Sequence, residues 1–173
     1  MHHDSNHRYR GATPVGPSHG FTLIELMIAA AIAVILAAVA GPSFVDLTAA
    51  QRVKTATLDF YSGLTFARGA AIARKTVVEI APRNGNFANG WDIRAGAAVL
   101  RSQSGLGGVA VSVPAGMTLA YDQDGRLTSS GRYVVRLTAS ENLMIETRCV
   151  IIDPGGRSSI RVDANRDGNC FNG

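Results

Sequence analysis

Gly20-Phe21-Thr22-Leu23-Ile24-Glu25-Leu26 is the stretch from which the rest of this 173-residue chain is read. It opens an almost unbroken apolar run, Phe21 to Val45, whose single charge, Glu25, stands near its start. A helix needs roughly 20 mostly apolar residues to cross a bilayer, so the run is long enough. A carboxylate inside such a segment costs about 3 kcal/mol on insertion scales and marks a functional position by default. Ahead of the run lies a polar, mildly basic leader, Met1 to Gly20. A secretory signal would set its positive residues directly against a short apolar core and end at a small-residue cleavage site. Here the small residue precedes the core, and the core is too long. An ordinary signal anchor with a stray glutamate is the plain alternative.

A short polar leader ending in glycine, then phenylalanine, then an acid five positions into an apolar helix, resembles the class III signal of type IV pilin-like proteins. The resemblance implies that a prepilin peptidase cuts between Gly20 and Phe21 and methylates the new amino group of Phe21. It also implies that Glu25 pairs with the Phe21 amine of a neighbouring subunit as a filament assembles. The electrostatics agree: a carboxylate in apolar surroundings is tolerated when an opposite charge meets it.

Length predicts one domain after the leader. The formal charge is +4, and without the leader's Arg8, Arg10 and Asp4 it is +3, too mild to demand nucleic acid. All four histidines (His2, His3, His7, His19) fall in the leader, so none is left for a Ser-His or Cys-His pair in the remaining chain. Asp122 and Asp124 are paired acids without a visible cleft; Asp122-Gln123-Asp124-Gly125 reads most simply as a hairpin turn, and the chain is read as a non-enzyme.

From Phe21 to about Lys75 the pattern predicts one long helix. Its first half, 21–45, is apolar all round, as a membrane or filament-core segment should be. Gly41-Pro42 interrupts it, and Pro42 removes a backbone donor, so a kink is expected there. The second half, 46–75, is amphipathic, with Leu47, Ala50, Val53, Phe60, Tyr61, Leu64, Ala71 and Ile72 on one broad face. Arg68 and Lys54 fall within this stripe and fit it only if their stems snorkel.

From Thr76 the period changes. Thr76–Ala81, Trp91–Arg94, Ala97–Arg101, Val109–Val113, Met117–Tyr121, Tyr133–Leu137, Leu143–Ile152 and Ser159–Val162 read as strands between glycine-rich turns. The expected fold is α+β and pilin-like: a long N-terminal helix whose amphipathic half packs on an antiparallel sheet, with 76–173 as a β-rich globular domain.

The body resembles the GspH/FimT-type minor pseudopilins. The residues that carry this are Leu58 to Arg74 with Ala67-Arg68 and Ala70-Ala71-Ile72, then Gly90-Trp91, Tyr121-Asp122-Gln123-Asp124-Gly125-Arg126, and Cys149-Val150-Ile151-Ile152 running into Gly155-Gly156-Arg157. The resemblance implies a low-abundance subunit of a type II secretion pseudopilus or type IV pilus that helps initiate or cap the filament. It implies a single-pass inner-membrane protein with its C-terminal domain in the periplasm. Other pilins, a prepilin peptidase and an inner-membrane assembly platform would be its partners.

The C-terminal region bears on an alternative, a DNA-binding minor pilin serving DNA uptake. Such members carry Gly-Arg-x-Arg, whereas this chain reads Gly156-Arg157-Ser158-Ser159, with Arg161 next. Arg148, Arg157, Arg161 and Arg166 are the candidate phosphate contacts. On a strand Arg157 and Arg161 would share a face. No aromatic interleaving supports base stacking. A third reading is a membrane-anchored periplasmic adaptor that never polymerises.

Cys149 and Cys170 are candidates for a disulfide in an oxidising compartment, where it would contribute about 3 kcal/mol. Two free thiols are the other reading. Asp163-Ala164-Asn165-Arg166-Asp167-Gly168 matches the first half of a calcium loop, making Asp163, Asn165 and Asp167 candidate ligands. The distal bidentate acid is missing and Arg166 opposes a cation, so a plain Asx-rich turn is the competing account and no cofactor is required.

Overall fold

The computed structural model describes residues 20–115, 117–141 and 144–171; the side chains of 39–43 lie outside the description. The chain divides into two compact units, 1–40 and 41–173, each described by itself. The long helix α1 spans Leu23–Arg74. The kink expected at Pro42 falls among residues whose side chains are not described. Among the described residues no helix is long and apolar enough to cross a membrane. The described apolar run ends at Ala38, so the expected span 21–45 extends into residues 39–43.

In the second unit α1 buries Val53, Ala56, Thr57, Phe60, Leu64, Ala67 and Ala71. This is a continuous three-four repeat, narrower than the stripe expected from sequence. Leu47 and Ile72 are exposed, and Tyr61 only half-buried. Lys54 is exposed, and Arg68 is half-buried. The Thr57 hydroxyl sits in the core because it donates to the Val53 carbonyl one turn back, 2.7 Å away.

Eight strands follow among the described residues: β1 (Val78–Pro82), β2 (Trp91–Ala95), β3 (Ala98–Gln103), β4 (Val109–Ser112), β5 (Leu119–Tyr121), β6 (Tyr133–Ala139), β7 (Thr147–Ile152) and β8 (Ser158–Asp163). They form two antiparallel four-stranded sheets rather than one, in the orders β3-β2-β1-β5 and β4-β6-β7-β8. β5 pairs with β1, setting Val78 opposite Tyr121 and Ile80 opposite Leu119. Alternation then drives Val78 and Ile80 inward and Glu79 outward.

Both sheets send side chains into one core with α1: Val78, Ile80, Trp91, Ile93, Leu119 and Tyr121 from the first, Val135, Leu137, Val150 and Ile152 from the second. Phe60 of the helix meets Phe87 and Trp91 edge-on, with ring centroids 5.4 and 5.3 Å away. Such pairs add about 1 kcal/mol each beyond their buried area. Tyr121 is fully buried, and its hydroxyl has no hydrogen-bond partner among the described residues. Burial pushes its phenol up to about 12, against the opposing influence of the Arg68 charge.

Cys149-Val150-Ile151-Ile152 in β7 is buried on both faces. Val150 and Ile152 face the core. Cys149 and Ile151 point the other way, where the chain's last described residues return over the sheet. Cys170 is bonded to Cys149 across a Cα–Cα distance of 6.2 Å, and Arg136 donates from Nε to the Gly168 carbonyl at 3.2 Å. The disulfide expected from sequence is present.

Candidate functional site

At the N-terminus the geometry is that of a helix start. Thr22 precedes the first helical residue, Leu23. Its backbone N–H and hydroxyl both donate to Glu25 Oε2, at 3.1 and 3.2 Å, and the Glu25 N–H donates back to the Thr22 hydroxyl at 3.3 Å. This is a reciprocal capping box. Thr22-x-x-Glu25 carries its signature, which the sequence reading passed over because it treated Glu25 only as a charge. The carboxylate also lies in the first turn, where the helix dipole favours negative charge. Around it Phe21, Leu23, Ile24, Leu26, Met27, Ile28, Ile32, Val34, Ile35 and Leu36 are all exposed. A segment that is apolar on every side buries itself only against other molecules or lipid. Gly20 and Phe21 are exposed as well, leaving the bond between them accessible.

At the other end of α1, Arg68 gathers two turns. Its Nε donates to the Gly125 carbonyl at 2.9 Å, and Nη2 approaches the Gly155 carbonyl at 3.5 Å. The first turn, Asp122 to Arg126, is closed by Asp122 N–H to the Arg126 carbonyl (2.9 Å) and Gly125 N–H to the Asp122 carbonyl (2.9 Å). The Asp122 carboxylate caps it from inside, accepting from Asp124 N–H and Arg126 N–H, both at 2.9 Å. Asp122 and Asp124 thus serve the hairpin turn that the sequence suggested. The second turn, Asp153 to Arg157, packs on the first, and Gly156 lies so near Gly125 that a Cβ there would collide with the Gly125 carbonyl oxygen. Tyr121-Asp122-Gln123-Asp124-Gly125-Arg126 and Gly155-Gly156-Arg157 are therefore two sides of one contact.

The four candidate arginines do not form one patch. Arg157 precedes β8 instead of lying on it, so the strand period does not set it beside Arg161. It lines a recess with Tyr61, Thr65 and Arg68. Arg161 lies on the outer face of β8 opposite Cys149, with Arg136 on the far side of Cys149 in β6. Arg148 and Arg166 line a different recess with Ala50, Ile145 and Glu146.

The candidate metal ligands occupy the loop between β8 and Cys170. Asp163 Oδ2 accepts from Gly168 N–H at 2.9 Å. Asn165 Nδ2 donates to Asp167 Oδ2 at 3.0 Å, and Asn169 N–H donates to Asp167 Oδ1 at 2.7 Å. No group of three or more His, Cys, Asp or Glu side chains suited to a metal occurs among the described residues.

The prokaryotic N-terminal methylation motif matches residues 17–41, the stretch that holds Gly20, Phe21 and the capping box. The family model for type II transport protein GspH matches residues 56–156, more than half of the chain, from the buried stripe of α1 to the contact between the two turns. Crystal structures of the type IV minor pilin FimU of Pseudomonas aeruginosa strain PAO1 share the fold. In one crystal form the TM-score is 0.57 at 18% identity, covering 64% of this chain and 88% of that one. In a second form the TM-score is 0.55 at 19% identity, covering 62% and 90%. No curated protein matched the sequence. Helix, sheets, motif and family match agree that this chain belongs to the GspH family, the minor pilins and pseudopilins of type IV pili and type II secretion, whose members are structural subunits rather than enzymes.

Proposed function

We propose that the chain is cut between Gly20 and Phe21, methylated on the new amine, and drawn from the inner membrane into a periplasm-based filament that it helps to initiate or cap. The β-rich domain would stay on the periplasmic side, where an oxidising milieu suits Cys149–Cys170. The observation that carries this reading is the fully exposed apolar segment beginning at Phe21 with one acid, Glu25, held in its first turn. Packing against neighbouring helices would cover that segment. The neighbour's Phe21 amine would bring a positive charge to the one carboxylate that burial would otherwise leave costly.

The test is incorporation into filaments in cells that carry the matching assembly machinery. Glu25→Ala should be processed at Gly20–Phe21 yet fail to enter filaments. Glu25→Ala entering at the wild-type level would overturn the reading. An uncut leader in the wild-type protein would favour a membrane-anchored adaptor instead.

A further inference from the structure

Three buried side-chain oxygens lack a hydrogen-bond partner among the described residues: the Tyr121 and Ser129 hydroxyls and one carboxylate oxygen of Asp163. Asp163, at the end of β8, is 1% exposed, and its Oδ1 is buried with no hydrogen-bond partner among the described residues. An unpaired buried polar atom is costly, and a carboxylate oxygen more so than a neutral one. The other oxygen, Oδ2, is held by Gly168 N–H at 2.9 Å, which folds the intervening loop around the carboxylate. The Asp163 side chain therefore turns into the loop and keeps one carboxylate oxygen without a donor.

The sequence around that oxygen supplies more of the same chemistry. Asn165 and Asp167 follow at two-residue steps, then Gly168 in the left-handed region with φ 80°, then the main-chain carbonyl of Asn169. Alternating oxygens at the first, third, fifth and seventh positions, with glycine at the sixth, are how a short loop wraps a hard cation. Arg166, also in the left-handed region at φ 59°, lines the recess with Ala50, Ile145, Glu146 and Arg148. Asn165 presents its amide nitrogen to Asp167; turning that amide over would offer its oxygen to a cation. Both ends of the loop are fixed, one by the pairing of Asp163 with Thr147 in β7, the other by the Cys149–Cys170 bond. The loop lies beyond the 56–156 stretch that the family model matches.

We infer that the Asp163–Asn169 loop binds one calcium ion, with Asp163 Oδ1 as its buried ligand. Asp167, the Asn165 amide oxygen and the Asn169 carbonyl complete the protein's share, and water fills the rest. Two carboxylates, an amide and a carbonyl form an all-oxygen set, which suits calcium and not the nitrogen- and sulfur-seeking transition metals. With two formal negative charges and no bidentate acid, the affinity belongs to the weak class of extracellular calcium modules, about 0.1–1 mM. The inference does not depend on whether the chain polymerises.

Equilibrium dialysis of the full chain in detergent micelles against radioactive calcium chloride, with magnesium chloride in excess, tests it. The expected result is one calcium per chain with a midpoint of about 0.1–1 mM, not displaced by magnesium. Asp163→Asn should abolish binding. Asp167→Asn, at an exposed position where an amide oxygen can still accept from Asn169 N–H, should weaken it about tenfold or more. Asp124→Asn, in the other acidic turn, should leave it unchanged. Calcium should also slow reduction of Cys149–Cys170 by dithiothreitol several-fold in the wild type and not in Asp167→Asn, because a ligand stabilises the state it binds. No saturable binding up to about 10 mM, well above that affinity class, would overturn the inference. So would binding that survives Asp167→Asn or follows Asp124→Asn.

Discussion

Replacing Gly156 by alanine should be among the most destabilising single-methyl changes available to this protein. Gly156 has φ 78°, where an L-residue meets its own carbonyl at a cost of about 1–2 kcal/mol. The new Cβ would also collide with the Gly125 carbonyl oxygen and press on the Arg126 Cα. These are backbone atoms, so neither turn can swing a side chain aside, and overpacking of this kind costs about 1–3 kcal/mol. The sum, about 2–5 kcal/mol, is a large share of the 5–15 kcal/mol a domain usually holds. Separating the turns would also draw the Gly125 carbonyl from Arg68 Nε, 2.9 Å away. Arg68→Met alone should cost about 1 kcal/mol, less than a fully buried charged hydrogen bond because the guanidinium is half exposed. The double variant should then cost less than the two singles together by about 0.5 kcal/mol or more, since both act on one contact. Urea unfolding of the full chain in detergent, followed by the fluorescence of the sole tryptophan, the buried Trp91, measures this. Gly131→Ala, where a Cβ meets nothing within 4 Å, is the control and should stay within about 0.5 kcal/mol. A Gly156→Ala protein as stable as that control, or strict additivity with Arg68→Met, would refute the argument.

Three further outcomes are expected. Asp92 receives Arg83 Nη2 at 2.8 Å, Ser102 Oγ at 2.7 Å and Arg94 Nη2 at 3.0 Å, and these donors, Arg83 foremost, hold its carboxyl well below the usual carboxylate range. Its folded value lies below the unfolded one, so its stabilisation is present above the unfolded value near 4 and is lost as pH falls below it; Asp92→Asn should flatten the fall in thermal midpoint between pH 5 and 2, and an unchanged slope would count against the cluster. Tyr121→Phe removes a buried hydroxyl without a partner and should be neutral or stabilising by up to about 2 kcal/mol in urea unfolding, whereas a loss of more than about 1 kcal/mol would mean that the hydroxyl has a partner. The Cys149→Ala, Cys170→Ala double variant opens a loop of sequence separation 21 and should lose about 3 kcal/mol by loop-closure entropy; loss below about 1 kcal/mol would show that the tail stays ordered without the bond.

What could be read from sequence was what depends on near neighbours. The helical repeat of Val53, Phe60, Leu64 and Ala71 announced a buried face, and the same residues line the core. Asp122-Gln123-Asp124-Gly125 announced a turn, because aspartate caps its own backbone and glycine accepts the positive φ of 75°. What could not be read was set by distant partners. The split into two sheets follows from β5 returning to pair with β1 while β4 pairs with β6, and no local period encodes which strand a β-strand will meet. The burial of Ile151 and Cys149 on the outer face of β7 depends on the returning tail, a contact invisible until the disulfide is placed. Arg157 and Arg161 would share a face only if both lay on a strand. The turn that brings Gly156 against Gly125 holds Arg157 outside β8 and separates them.

Glu25 shows how a residue singled out for its charge can have a second role in its hydrogen bonds. Read as a lone charge in apolar surroundings, it required a partner from another chain. In the structure the carboxylate already closes the first turn of α1 through the Thr22 N–H and hydroxyl, both reaching the same oxygen, Oε2. An ionised carboxylate accepts at about four lone-pair sites, so a cap on one oxygen leaves the other able to meet a cation. The proposed assembly step is then not the rescue of a bare charge but the addition of a charged donor to a carboxylate whose direction the cap has already fixed. Fixing that direction in the free subunit would lower the ordering entropy lost in the proposed meeting with a neighbour's amine. On the proposed reading, the same Thr22-x-x-Glu25 pattern that starts the helix would also prepare it to be met, so that a stability device and an assembly device would share one side chain.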